Sequence, residues 1–150
     1  MEITQYLLMY RVYGLKTLSG IFPNLSVIRG QTLFFNYALV VFEMPNFEEL
    51  GLNNLQVITR GAVRIEKNPT LCYIDTIDWT KITNVNKEDN FILQNKEIDE
   101  CVNVCPKEGP SGDQHHVCPT MEFEEHGQMV TQRLCWSAQS CQKGKYYIMY

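Results

Sequence analysis

Asn24-Leu25-Ser26-Val27-Ile28-Arg29-Gly30 returns later in the chain as Asn54-Leu55-Gln56-Val57-Ile58-Thr59-Arg60-Gly61, about 30 residues on. A strand-like run follows each Arg-Gly: Leu33-Phe34-Phe35-Asn36-Tyr37 in the first copy and Val63-Arg64-Ile65-Glu66-Lys67 in the second. A third run, residues 6–12, precedes the first copy. Apolar residues at helical or irregular spacing lie upstream of each Asn-Leu: Leu15, Leu18 and Ile21, then Phe47, Leu50 and Leu52. Strand, turn and apolar connector repeating at a fixed period predict a solenoid of stacked parallel strands, because one repeat cannot bury its apolar face alone. The glycine after each arginine predicts a positive-φ corner before the next strand.

Alternation along the runs assigns two columns. Leu7, Met9, Leu33, Phe35, Val63 and Ile65 form the inward set, and Leu8, Tyr10, Phe34, Asn36, Arg64 and Glu66 the outward set. Leu8, Tyr10 and Phe34 side by side, flanked by Arg11, Arg64, Glu66 and Lys67, predict an exposed apolar patch with a charged rim. Such a patch marks a protein interface.

Composition narrows the rest. The formal net charge of −4 argues against a nucleic-acid partner, which needs a clustered basic surface. No apolar run is long enough to cross a membrane. Cysteine is unevenly placed: Cys72 stands alone in residues 1–100, while Cys101, Cys105, Cys118, Cys135 and Cys141 crowd the remainder. An even total of six predicts a disulfide framework and an oxidising compartment. A zinc module would show short C-x-x-C knuckles, which are absent, and the adjacent His115 and His116 are read as solvated. Met1 is followed by Glu-Ile-Thr-Gln-Tyr, with no basic and apolar export signal. A disulfide protein without a leader is read as a piece of a longer secreted or membrane-anchored chain.

Searches for chemistry find no phosphate-binding loop, dinucleotide fingerprint, nucleophile elbow or zinc-protease motif. Asp75 and Asp78 are read as solvated or capping, and Glu122, Glu124 and Glu125 as solvated surface. A β-helical hydrolase would need carboxylates converging from successive strands, and the runs offer only Glu66 and Glu43.

The runs 6–15, 22–30, 33–44 and 64–68, with Leu71-Cys72-Tyr73 and Thr76-Ile77-Asp78-Trp79, resemble the ectodomain of the insulin receptor and insulin-like growth factor receptor family. They are similar to the later rungs of its first leucine-rich (L1) domain, and the likeness extends from about residue 3 to 143. The epidermal growth factor receptor family shares the Arg-Gly rungs but not residues 34–44. The resemblance implies a mainly β fold: a right-handed single-stranded β-helix, leucine-rich-repeat-like, with a small disulfide-rich furin-like module. It divides the chain into a partial L domain at 1–100, the start of a cysteine-rich region at 101–143 and a divergent tail at 144–150.

Carried over residue by residue, the resemblance implies a hormone-binding set of Leu8, Tyr10, Arg11, Phe34, Phe35, Tyr37, Val40, Phe42, Arg64, Glu66 and Lys67. Alternation disagrees at Phe35, which it places inside. Tyr10 departs from the phenylalanine many members carry. The resemblance further implies disulfides Cys72–Cys101, Cys105–Cys135 and Cys118–Cys141, and a glycan on Asn24 of Asn24-Leu25-Ser26. No cofactor or metal is implied. The partners implied are an insulin-like peptide hormone, the remainder of the receptor and its dimer mate, with no membrane contact by this segment. The expected location is the extracellular face of the plasma membrane, within a parent tyrosine kinase whose kinase domain lies elsewhere. The alternative reading is a soluble decoy or adhesion-type L-domain protein. With the earliest rungs missing, the isolated chain is expected to bind hormone weakly or not at all.

Overall fold

The computed structural model describes residues 1–107 and 118–143; His115, His116 and the tail 144–150 lie outside the described residues. Residues 1–93 wind into a coil with two parallel sheets. The smaller one is built from two-residue strands in the order β1 (Glu2–Ile3), β3 (Val27–Ile28) and β5 (Val57–Ile58). The larger has the order β2 (Leu7–Tyr10), β4 (Tyr37–Phe42), β6 (Ala62–Glu66) and β7 (Phe91–Leu93). The described residues contain no α-helix, only three short 3₁₀ turns. β3 and β5 are the two copies of the repeated phrase, paired Val27 to Val57 and Ile28 to Ile58.

The large sheet corrects the reading of the middle run. Its strand is Tyr37–Phe42, while residues 33–36 form a turn. Phe34 and Tyr37 exchange backbone hydrogen bonds of 2.9 and 2.8 Å around Phe35 and Asn36, whose φ angles are 46° and 74°. Two consecutive left-handed residues are the signature of a type I′ turn, and Asn36 suits it. This turn lies in a six-residue loop between Gly30 and β4 that has no counterpart after Gly61, where β6 starts at once. Counting from Arg-Gly therefore misplaced the strand. Phe35, assigned inward by alternation, is 77% exposed.

With that correction the columns are regular. Leu7, Leu39 and Val63 stack in register, as do Met9, Val41, Ile65 and Ile92, all facing the core. Leu18, Phe47, Leu50 and Leu52 from the connectors are fully buried beside them, while Ile21 is exposed. Gly30 and Gly61 have φ of 66° and 96°. A side chain at Gly30 would strike the Arg60 carbonyl, and one at Gly61 would strike Leu33 and Ala38.

The far corner of each large-sheet rung is made without glycine. Arg11, Glu43, Lys67 and Gln94 take φ of 51°, 50°, 58° and 58° immediately after the four strands. The next residue links one rung to the following one. Val12 N–H donates to the Met44 sulfur (3.3 Å), Met44 N–H to Asn68 Oδ1 (2.9 Å), and Asn68 N–H to Asn95 Oδ1 (3.3 Å). Asn68 is fully buried and also donates from Nδ2 to the Val41 carbonyl (3.1 Å) and to Asn95 Oδ1 (2.9 Å). Backbone donors at a buried corner need such partners, and the asparagine amide supplies them.

Disulfides join Cys72 to Cys101, Cys105 to Cys135 and Cys118 to Cys141, closing separations of 29, 30 and 23 residues. Loops of that size contribute about 3–4 kcal/mol each in the chain-entropy account. After an antiparallel hairpin, β8 (Thr120–Glu125) with β9 (Gln128–Arg133), the chain returns to the coil through β10 (Cys135–Ser137) and β11 (Ser140–Cys141). Trp136 is fully buried in the coil's own core, edge-on to Trp79 with centroids 5.8 Å apart. Around it, Cys135 N–H donates to the Thr76 carbonyl and Thr76 Oγ1 to the Cys135 carbonyl, at 2.9 and 2.8 Å. The buried Gln142 amide brackets the Asp78 backbone at 2.8 and 3.0 Å. The core therefore does not stop at residue 100.

Asn68→Ala is expected to lower unfolding stability by about 2–4 kcal/mol, since it strands the buried Met44 N–H and removes a donor from the Val41 carbonyl on one neighbouring rung and from Asn95 on the other. Trp136→Ala should cost about 3–5 kcal/mol although it lies outside the repeats. Denaturant titration of the oxidised chain checks both.

Candidate functional site

The outward side chains of the large sheet form two rows. Leu8, Val40, Arg64 and Phe91 make one, and Tyr10, Phe42, Glu66 and Leu93 the other. Parallel in-register pairing forces this, because every second residue of each strand points away from the core. Leu8, Tyr10, Phe34, Phe35, Val40, Phe42 and Arg64 line a shallow concavity of about 550 Å³. Tyr10 stacks on Phe42 with centroids 5.6 Å apart, and Phe34 meets Tyr6 and Phe35 at 5.9 and 4.8 Å. The type I′ turn is what brings Phe34 and Phe35 to the edge of the sheet's outer face.

Arg64 organises the polar part. Its Nη2 and Nε donate to Glu66 Oε2 at 2.7 and 3.1 Å. The guanidinium lies over the rings of Phe42, Phe91 and Tyr37, 5.3, 5.4 and 5.9 Å from their centroids. Glu66 points outward yet is only 7% exposed. At the corner, Arg11 pairs with Glu43 (Nε to Oε2, 2.5 Å) and sits 5.0 Å from the Tyr10 ring centroid. The hydrogen bond that Arg11 donates to the Glu43 carboxylate pushes the guanidinium pKa up. Lys67, exposed at the next-but-one corner, has its Nζ 5.6 Å from the Phe42 centroid.

All eleven residues predicted from the resemblance thus fall on or beside one face: seven line the concavity, Tyr37 and Glu66 hold Arg64, and Arg11 and Lys67 stand at the corner. Sequence reasoning missed Phe91 and Leu93, which extend both rows by one rung. The signal was present in the alternation of Phe91-Ile92-Leu93 but lay outside the repeated phrase. Elsewhere, Asp78 caps a 3₁₀ turn through Thr80, and the hairpin acids Glu122, Glu124 and Glu125 are exposed. Asn24 is exposed in a turn. Among the described residues no cluster of histidine, cysteine or carboxylate could hold a metal ion, and no helix is long and apolar enough to cross a membrane.

A coil of stacked parallel strands whose rungs repeat at a fixed period is a solenoid domain. The Receptor L domain family matches residues 1–83, and the chain belongs to that family. It is 54% identical over 142 residues to an insulin-like peptide receptor of Branchiostoma lanceolatum, covering 95% of this chain and 9% of that protein. It is 51% identical over 144 residues to the insulin receptor of Xenopus laevis and 48% over 141 residues to the insulin-like growth factor 1 receptor of the same species. Each of these two matches covers 94% of this chain and 10% of the relative. The chain spans about a tenth of the length of the curated relatives it matches.

Glu66→Ala, which leaves Arg64 without its anchor, is expected to cost about 1–3 kcal/mol of stability. Phe35→Ser, at a solvent-facing ring, should stay within about 0.5 kcal/mol of the parent. Paired thermal melts distinguish a site held by the polar pair from one held by the turn aromatics.

Proposed function

We propose that this chain is an extracellular part of an insulin-receptor-like transmembrane receptor and that its aromatic sheet face contributes to binding an insulin-family peptide. The observation that carries the reading is the continuous outer face of β2, β4 and β6, on which Leu8, Tyr10, Val40, Phe42, Arg64 and Glu66 lie in register. Large apolar side chains with an arginine at their centre and charges at the rim are the composition of a protein-recognition surface. The names of the relatives supply the ligand class.

The parts have distinct tasks in this reading. Tyr10, Phe34, Phe35 and Phe42 supply rigid apolar area to the peptide at low entropic cost. Glu66 fixes Arg64, whose remaining donors are free for a peptide carbonyl or carboxylate. Arg11 and Lys67 set orientation and on-rate more than affinity. Residues 101–143 begin a cysteine-rich furin-like region, and Asn24, exposed in its turn, carries a glycan. The kinase activity and the dimer mate belong to the longer parent.

The test is titration of insulin against the secreted, oxidised chain, with a dissociation constant in the micromolar range or weaker, about −8 kcal/mol or less in magnitude. Phe34→Ala is expected to weaken binding roughly tenfold with an unchanged melting temperature. Unchanged affinity in that variant, or loss of its secretion, would remove Phe34 from the face and assign it to the core.

A further inference from the structure

A second concavity, of about 460 Å³, opens between residues 103–107 and the end of β9, lined by Asn103, Val104, Lys107, Thr131, Gln132 and Arg133. It shares no residue with the aromatic concavity of the large sheet. Its walls are held in place from two sides. The Cys105–Cys135 disulfide joins the two segments to each other. Tyr73 fastens the first of them to the coil, its N–H donating to Asn103 Oδ1 at 2.9 Å and its hydroxyl to the Val104 carbonyl at 3.2 Å.

The polar groups of this cleft are unevenly matched. Its acceptors are largely engaged: Tyr73 occupies Asn103 Oδ1 and the Val104 carbonyl, Arg133 Nη1 donates to the Pro106 carbonyl (3.4 Å), and Gln132 Nε2 to the Arg133 carbonyl (2.8 Å). Its donors are not. Among the described residues, Asn103 Nδ2, the Thr131 hydroxyl, Lys107 Nζ and the other Arg133 N–H groups meet no protein acceptor. No carboxylate lines the cleft, and among the described residues none pairs with Lys107 or Arg133. Residues 101–143 carry only one further lysine or arginine, Lys143, which donates to Asn54 Oδ1 instead. Surplus donors beside two uncompensated cations suit a ligand rich in acceptors and in negative charge.

We propose that this cleft binds the sulfate and carboxylate groups of an anionic glycan. The Arg133 guanidinium fork takes one oxyanion and the Lys107 ammonium a second, while Asn103, Thr131 and Gln132 meet sugar hydroxyls, which both donate and accept. An acidic peptide fits less well, because Val104 is the one aliphatic side chain on the wall and apolar peptide residues gain little there. The three disulfides point to an oxidising compartment outside the cell, where sulfated, uronate-bearing glycans are abundant polyanions. The site stands independently of the peptide-binding reading.

A heparin-derived tetrasaccharide, its desulfated form and a glutamate peptide of equal charge are titrated against the secreted, oxidised chain and its variants. The sulfated sugar is expected to bind at least tenfold tighter than either control, and to weaken about fivefold as salt rises from about 0.05 to 0.3 M. Lys107→Gln and Arg133→Gln should each weaken it about fivefold, with melting temperatures retained because both side chains are exposed. If K107Q/R133Q binds the sulfated sugar within twofold of the parent chain, the glycan sits elsewhere and the inference is overturned. Equal binding of the glutamate peptide would reduce the cleft to a cation pair without glycan selection, which also overturns it. So would absence of binding of the sulfated sugar to the parent chain.

Discussion

Every rung of this coil depends on satisfying the backbone donor that follows a sharp left-handed corner, a donor that is buried at Met44 and Asn68. The chain meets that constraint by cross-rung bonds from the residue after each left-handed corner: Val12 to Met44, Met44 to Asn68, Asn68 to Asn95. Such bonds fix the vertical registration of the strands, and registration decides which side chains face out. A slip of one residue in β4 would turn Val40 and Phe42 inward and expose Leu39 and Val41. The outer aromatic face is therefore a by-product of corner chemistry. Asn68, fully buried and bonded to the rungs on either side of its own, is the residue that joins the two.

Much of this architecture can be read from the residues alone, because the small sheet keeps the strict spacing of its Asn-Leu and Arg-Gly phrases. The inner columns follow from alternation once each strand is located. Where reading failed, a physical cause is identifiable. The loop after Gly30 breaks the count between corner and strand, so β4 was placed too early and Phe35 put inside. A type I′ turn beginning with phenylalanine is hard to anticipate, since that conformation favours glycine and asparagine. Glu66 was correctly placed outward, but its burial beneath Arg64 depends on a side-chain pairing that strand periodicity does not encode. Phe91 and Leu93 went unnoticed because their rung lacks the repeated phrase.

The face combines two kinds of rigidity. Its apolar part is fixed from below by inward residues such as Leu39, Val41 and Ile65, all fully buried. Its polar part is fixed laterally, with Arg64 held by one carboxylate and three rings. Cation–ring contacts of this sort are worth about 0.5–1 kcal/mol each at exposed sites, and here they also cost the arginine its rotamer freedom before any ligand arrives. A surface prepared in this way has little left to order.

Trp136 adds a constraint in time. Its partner segment around Thr76 leaves the ribosome about 60 residues earlier, which at 5–20 residues per second is roughly 3–12 s. Once Asn95 has emerged, the coil has all of its own residues but not the indole that completes its core. Cys72 and Cys105 likewise wait for Cys101 and Cys135. The nascent domain thus passes through a stage with an open apolar end and unpaired thiols.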